Sequence, residues 1–348
     1  MQEYFLGGST PTGFRTHFSD VISKDGYYTY ILKGGPGTGK STLMKKVAKH
    51  FRDCNVITYR CSSDINSLDA VVIEDKKIII VDGTSPHVFD PIYPGVSQEI
   101  INLGSFWNKD ALQKNGKAVQ LLSDENQKCH RTVKRYIKAI SSINSDICRH
   151  AENSLDRQKL SAYIQRLSKK LIPSKNNIDG RREFNQLSSL TQEKYMTLPV
   201  NEEYSKYFIK DDFFAGGNFF LRKLADTFTE NGYDITVSEC NMLDAPTYEH
   251  LICHKLKLVF ITGNFMNGLT PETENVINFT RFYDKELLSS KKQRMNFNKK
   301  AVAELISETA ECLTTALKIH DKLEKYYINA LDFEKLEKMT DDFIKTLE

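Results

Sequence analysis

No stretch of the 348 residues approaches the roughly 20 apolar residues that a membrane helix needs. The longest apolar runs, such as Ile78-Ile79-Ile80-Val81, are strand-sized, so no membrane partner is expected. The start, Met1-Gln2-Glu3-Tyr4, has neither the basic nor the apolar region of a secretion signal, which predicts a cytoplasmic protein. Prolines are few and low-complexity tracts are lacking, which argues against a large disordered region. No two of the seven cysteines form a C-x-x-C pair, and their number is odd. That pattern fits reduced thiols rather than a disulfide frame or a zinc site. Cys129-His130 and Cys253-His254 are the only Cys/His neighbours, and no second ligand pair stands at zinc spacing.

A strong overall charge is missing too, at +3. The charge is uneven, however: residues 1–175 carry 26 basic against 17 acidic side chains, and residues 176–348 carry 22 against 28. Phosphate binding accounts for part of the basic bias. Nucleic acid is not an expected partner, because the basic interval Lys128–Arg135 reads as a solvated helix face and no aromatic-basic stacking pattern appears.

What is present is an internal repeat. Tyr30 to Phe51 and Tyr207 to Phe228 align without gaps at an offset of 177, with six identities in 22 positions. Downstream, Cys61 answers to Cys240, Ile78 to Val81 answers to Leu258 to Ile261, and Ile101-Asn102-Leu103 answers to Ile277-Asn278-Phe279. Collinear matches at a nearly constant offset predict a duplicated domain. Each copy reads as strand, loop, helix, strand, a polar stretch, a buried strand and a charged helical tail. The expected fold is α/β, a duplicated P-loop NTPase domain with a mostly parallel sheet flanked by helices and long helical extensions. The expected division is 1–175, nucleotide-binding, and 176–348, degenerate. Each tail, Lys109 to Leu171 and Lys285 to Leu347, is expected to pack on its own domain or against the other tail.

Gly34-Gly35-Pro36-Gly37-Thr38-Gly39-Lys40-Ser41 fits G-x-x-x-x-G-K-[ST]. Glycines let successive N–H groups point at phosphate oxygens; Lys40 would reach the β- and γ-phosphates, and the Ser41 hydroxyl would sit on Mg²⁺. Thr42 completes the binding set. A strand, Tyr28 to Leu32, precedes the loop, and a helix follows, turning its positive end toward the same phosphates. Ile78 to Asp82 reads as a Walker B strand, with Asp82 near Mg²⁺ at its carboxyl end. Lys40 and Asp82 are therefore the candidate catalytic pair, with ATP and Mg²⁺ as cofactors. Gly83, not Glu, follows Asp82, so the general base is unassigned. His87 and Asp90, on the loop leaving that strand, are further candidates for a γ-phosphate or a second substrate. Asp64 and Asp69 suit a helix N-cap. In the second copy Lys40 becomes Gly217, Ser41 becomes Asn218 and Gly34 becomes Asp211, so ordinary triphosphate binding is not expected there. Arg181, Arg182, Arg222 and Arg281 are candidates for trans-domain fingers, with surface arginines as the alternative reading.

The segments Gly34 to Thr42 and Val81 to His87, with Asp90-Pro91 and Tyr93-Pro94-Gly95, resemble an uncharacterised family of bacterial tandem P-loop ATPase-like proteins. The resemblance covers nearly the whole chain. It implies a cytoplasmic ATP-binding protein with two related P-loop domains and brings no substrate with it. The leading expectation is an ATPase that couples nucleotide state to a conformational or partner-binding change. A small-molecule or nucleotide kinase is the alternative, and a nucleic-acid-associated ATPase the third. The partners would be a nucleoside triphosphate and either a protein or a small-molecule acceptor.

Overall fold

The computed structural model describes residues 2–22, 24–85, 88–173 and 178–348. In chain order the first repeat contains β1 (Gln2–Phe5), β2 (Gly7–Thr10), β3 (Gly13–Thr16), α1 (Phe18–Ile22), β4 (Tyr28–Lys33), α2 (Lys40–His50), β5 (Val56–Arg60), β6 (Leu68–Ile73), β7 (Ile78–Asp82) and β8 (Gln98–Asn102). Its helical tail is α3 (Lys109–Lys114), α4 (Gly116–Glu152) and α5 (Arg157–Leu171). The second repeat contains β9 (Arg182–Phe184), β10 (Ser188–Leu190), β11 (Tyr195–Thr197), β12 (Ser205–Lys210), α6 (Ala215–Glu230), β13 (Ile235–Glu239), β14 (Tyr248–Cys253), β15 (Leu258–Gly263) and β16 (Val276–Asn278). Its tail is α7 (Lys285–Ser290), α8 (Lys292–Ile328) and α9 (Phe333–Thr346).

The two copies match strand for strand. One sheet runs β1-β5-β6-β7-β4-β8, and the other runs β9-β13-β14-β15-β12-β16. The pairings are parallel except at β6 and β14, each antiparallel to both of its neighbours. These are mixed sheets flanked by helices. The extra strand β6 falls in the segment expected to be a polar connection. Leu68 to Ile73 is buried at every position, Asp69 included. The connections into and out of β6 are short, so the chain reverses directly, whereas a parallel neighbour needs a crossover. After β6 the reversal uses a single turn, Glu74–Lys76, ending at Lys77 with φ 53°.

The chain forms two compact units. One comprises Met1–Gly8, Phe14–Val133 and Ala310–Glu348; the other comprises Ser9–Gly13 and Lys134–Thr309. The expected boundary at 175/176 lies outside the described residues, and the contacts divide the chain elsewhere. The last part of each helical tail, the end of α4 with α5 and the end of α8 with α9, joins the unit of the other repeat. In the first unit Leu331, Leu336, Phe343, Ile344 and Leu347 join the core of Leu43, Met44, Val47, Val71 and Ile80. In the second, Ala151, Leu160, Ile164 and Leu167 join the core of Phe220, Leu221, Leu224 and Phe260. Tail against tail is also seen within the first unit, where Asn126 Nδ2 donates to Ala316 O (2.9 Å).

The exchange is fixed by paired backbone hydrogen bonds that recur at an offset of 176. Asn108 N donates to Ala330 O (2.7 Å) and Asp332 N to Phe106 O (3.0 Å). Asp284 N donates to Ser154 O (2.7 Å) and Asp156 N to Phe282 O (2.8 Å). Asp332 and Asp156 then cap α9 and α5, accepting from Lys335 N and Lys159 N. Such caps are worth about 1 kcal/mol each. Every described helix falls short of the length and apolarity needed to cross a membrane.

Candidate functional site

β4 delivers the chain at its carboxyl end into the loop Gly34–Gly39, and α2 begins at Lys40. Two residues take left-handed backbone, Gly37 (φ 66°) and Gly39 (φ 84°), a region that side chains disfavour. Gly37 stands at one of the motif's unrestricted positions, and its conformation explains why it is glycine. Thr38 Oγ1 donates to Gly35 O (2.8 Å), closing the turn. Lys40 folds back over the loop, its Nζ donating to Gly34 O (3.1 Å) and Gly35 O (2.9 Å).

The register of β4 with β7 pairs Leu32 with Asp82, which sets Asp82 beside the start of the loop. Its Oδ2 lies 3.7 Å from Lys40 Nζ, and its Oδ1 accepts from Thr84 N (2.9 Å) and Thr84 Oγ1 (2.6 Å). Ser41 Oγ accepts from Leu68 N (3.0 Å), so β6 holds the hydroxyl in place while leaving its proton free to donate. Gly34, Gly35, Pro36, Gly37, Thr38, Gly39, Lys40, Ser41 and Asp82 are thus gathered at one sheet edge. Thr42 is exposed on α2. His87 lies outside the described residues. Asp90 is 82% exposed and pairs with Lys33 (3.2 Å), while Lys33 Nζ also donates to Gly83 O (3.0 Å) and Phe89 O (2.6 Å). Asp90 therefore anchors its own loop rather than joining the cluster around Lys40.

Two residues alter the picture drawn from sequence. Asp69 caps no helix. It lies within β6, buried, one step before Ala70, which pairs with Val81; Asp82 follows Val81. Because the strands are antiparallel, Asp69 and Asp82 emerge at the same edge. Burial first, and then the Asp69 charge, pushes the Cys61 thiol up, which keeps it protonated. Asp64 also caps no helix; it turns the chain, accepting from Asn66 N (3.1 Å). The second residue is Glu324, near the end of α8. Its Oε1 accepts from Gly37 N (3.0 Å), 287 residues upstream. The His320 side chain, the Gly37 N–H and the Lys40 charge hold its carboxyl below the usual range. No sequence pattern ties residue 324 to the loop; only the exchanged tail does.

The corresponding loop of the second copy keeps one of the two left-handed residues, loses the site side chains, and enters its helix two residues earlier. Phe214, in the place of Gly37, has φ 65°. Asp211, in the place of Gly34, turns its carboxylate inward and accepts from Gly217 N (2.7 Å) and Phe213 N (3.1 Å). The Tyr283 hydroxyl accepts from Gly216 N (2.7 Å) and lies 3.1 Å from each Asp211 oxygen. Burial outweighs these hydrogen bonds and raises the Asp211 carboxyl to about 6.

The four arginines considered as fingers are each engaged within the second unit. Arg181 pairs with Asp234 (3.8 Å) and Arg182 with Asp226 (2.7 Å). Arg222 lies over the Tyr248 ring (4.3 Å) and Arg281 over Tyr163 (4.6 Å).

Compared with protein-family models, curated proteins and solved structures, the chain has no match.

Proposed function

We propose that the Gly34–Ser41 loop is a P-loop that binds one ATP with Mg²⁺ per chain, and that the protein is an ATPase whose nucleotide state drives a conformational change. The observation that carries the reading is that the loop already holds an anion: the Gly37 N–H meets a carboxylate, with the Lys40 ammonium beside it and Asp82 3.7 Å from that ammonium. A glycine-loop amide and a lysine held together before a helix N-terminus suit a phosphate chain. Bound Mg²⁺ would neutralise phosphate charge and orient the phosphates. Ser41 and Asp82 have the oxygen donors it favours, with phosphate oxygens and waters completing the shell. Asp69, at the same edge, is the carboxylate best placed to orient a water where Gly83 stands in place of a glutamate. The second loop, with its N–H groups taken by Asp211 and Tyr283, has a structural role in this reading. The seven free cysteines suit the cytoplasm.

Titration calorimetry with Mg·ATP and a non-hydrolysable analogue, on the wild type and Lys40→Ala, tests this. One site per chain, lost in the variant, is the expected result. Equal affinity in the variant overturns the reading. Free phosphate release then distinguishes an ATPase from a kinase, which would produce ADP only with an acceptor.

A further inference from the structure

The last turns of α8 and the start of α9 cover the glycine loop. Beside the Glu324 hydrogen bond, a Cβ placed on Gly35 would fall 2.7 Å from Tyr327 Cε1. One on Gly37 would fall 3.0 Å from Ile328 Cγ1 and 3.2 Å from Glu324 O, and one on Gly39 would fall 3.2 Å from Leu336 Cδ2. Gly35, like Gly37, occupies an unrestricted position of the motif, and its lack of a side chain makes room for the Tyr327 ring. The loop is shaped to fit the helix as well as a ligand.

We propose that Glu324 is a tethered anion that occupies the phosphate place of the loop in the nucleotide-free chain, so that nucleotide binding must displace the end of α8. The proposal rests on the reading of the loop as a nucleotide site. The Gly37 amide has one proton and cannot serve both the Glu324 carboxylate and a phosphate oxygen. A carboxylate kept beside a polyphosphate in a half-buried cleft would also repel it. Binding therefore costs the Glu324 contact, and the displacement makes α8 the element that reports the nucleotide. α8 is continuous from Lys292 to Ile328, its first half counted with the second unit and its end with the first.

The second repeat supplies an internal control. Its loop carries its own anion in Asp211. At the position of its covering tail equivalent to Glu324, 176 residues earlier, stands Cys148, whose thiol is raised to about 12 by burial, Glu152 and Asp211, and is therefore neutral. Each loop thus has one carboxylate on its amides, from within in one copy and from the exchanged tail in the other.

The test is equilibrium binding of a Mg²⁺-bound non-hydrolysable ATP analogue to the full chain as wild type, Glu324→Gln, Glu324→Ala and Lys40→Ala. It is paired with hydrogen exchange of residues 318–330 in the wild type with and without the analogue. Glu324→Gln is isosteric and preserves packing if the alanine variant loosens the helix. The expected result is roughly tenfold tighter binding in both Glu324 variants, about 1.4 kcal/mol, with faster exchange of 318–330 in the wild type on binding. Glu324 variants that bind no tighter, while the wild type binds and Lys40→Ala does not, overturn the tethered anion and leave the nucleotide site standing. Absence of binding in every variant overturns both.

Discussion

Asp211 Oδ2 accepts from Gly217 N at 2.7 Å, so the second repeat's loop carries on its own amides a carboxylate that the first repeat's loop lacks. Gly34 stands where Asp211 does, and that single difference decides whether the anion belongs to the loop or must come from elsewhere. The fully buried Asp211 carboxyl, raised from 3.8 to about 6, holds its proton more firmly in the folded chain than in the unfolded one. Its effect on stability is therefore favourable at low pH and is lost as pH rises from about 4 to about 6. The loss is on the order of 3 kcal/mol. Asn does not titrate, so the stability deficit of Asp211→Asn relative to wild type should shrink by about that amount between pH 4 and pH 7. Urea midpoints at three pH values measure it. His250, held down to about 3 by burial, works in the opposite direction below about pH 6.5, but it does so in both proteins and cancels in the comparison. A deficit that stays constant with pH would show that the carboxyl is ionised in the folded chain.

Gly37→Ala should damage the loop twice. Its φ of 66° costs a side chain about 1 kcal/mol, and the new Cβ would press on Ile328 and Glu324 within 3.2 Å. The expected outcome is a lower melting temperature together with weaker nucleotide binding. Lys40→Ala, which loses only the two carbonyl contacts and the Asp82 pair, should lose binding with little change in melting. Thermal melts beside calorimetry separate the two effects.

The duplication, the strand–loop–helix around Lys40 and the placement of Asp82 were legible because each rests on local pattern: apolar runs, glycine spacing and a repeated offset. β6 was not, because Asp69 breaks an apolar run that the fold buries completely, and single-residue polarity carried more weight in the sequence than the pairing of Val71 with Ile80 and Thr58. The partners of the tails were not legible either. The apolar faces of α5 and α9 do not say which sheet they will cover, and the exchange is marked by long-range backbone bonds such as Asp332 N to Phe106 O. Glu324 follows from that exchange, since only a tail crossing to the other repeat could bring residue 324 to Gly37.

Asp82→Asn should leave nucleotide affinity without metal nearly unchanged and weaken the Mg²⁺ enhancement of binding, because an oxygen is kept while the one formal negative charge among the proposed protein ligands is lost. Asp69→Asn should spare binding and slow phosphate release, as suits a water-orienting group. Affinities with Mg²⁺ and with a chelator, followed by turnover on each variant, check both. Loss of binding in Asp69→Asn would instead make that residue part of the cation site.

Phe343→Ala provides the sharpest test of the exchanged tails. The ring stands edge-on to Tyr30 at 4.9 Å and lies in the core formed by α2 and the first repeat's sheet, though it belongs to the second repeat in sequence. Removing a buried phenylalanine ring costs about 3–5 kcal/mol through lost transfer energy and the cavity left behind. If the tail sits on the other repeat's sheet, that loss appears as faster hydrogen exchange in β4 and α2, with β12 and α6 protected as before. Leu160→Ala, on the reciprocal tail, should do the reverse, loosening α6 and sparing α2. A chain whose tails returned to their own repeats would show the opposite assignment in both variants, because local opening follows the contacts that are cut and not the order of residues along the chain.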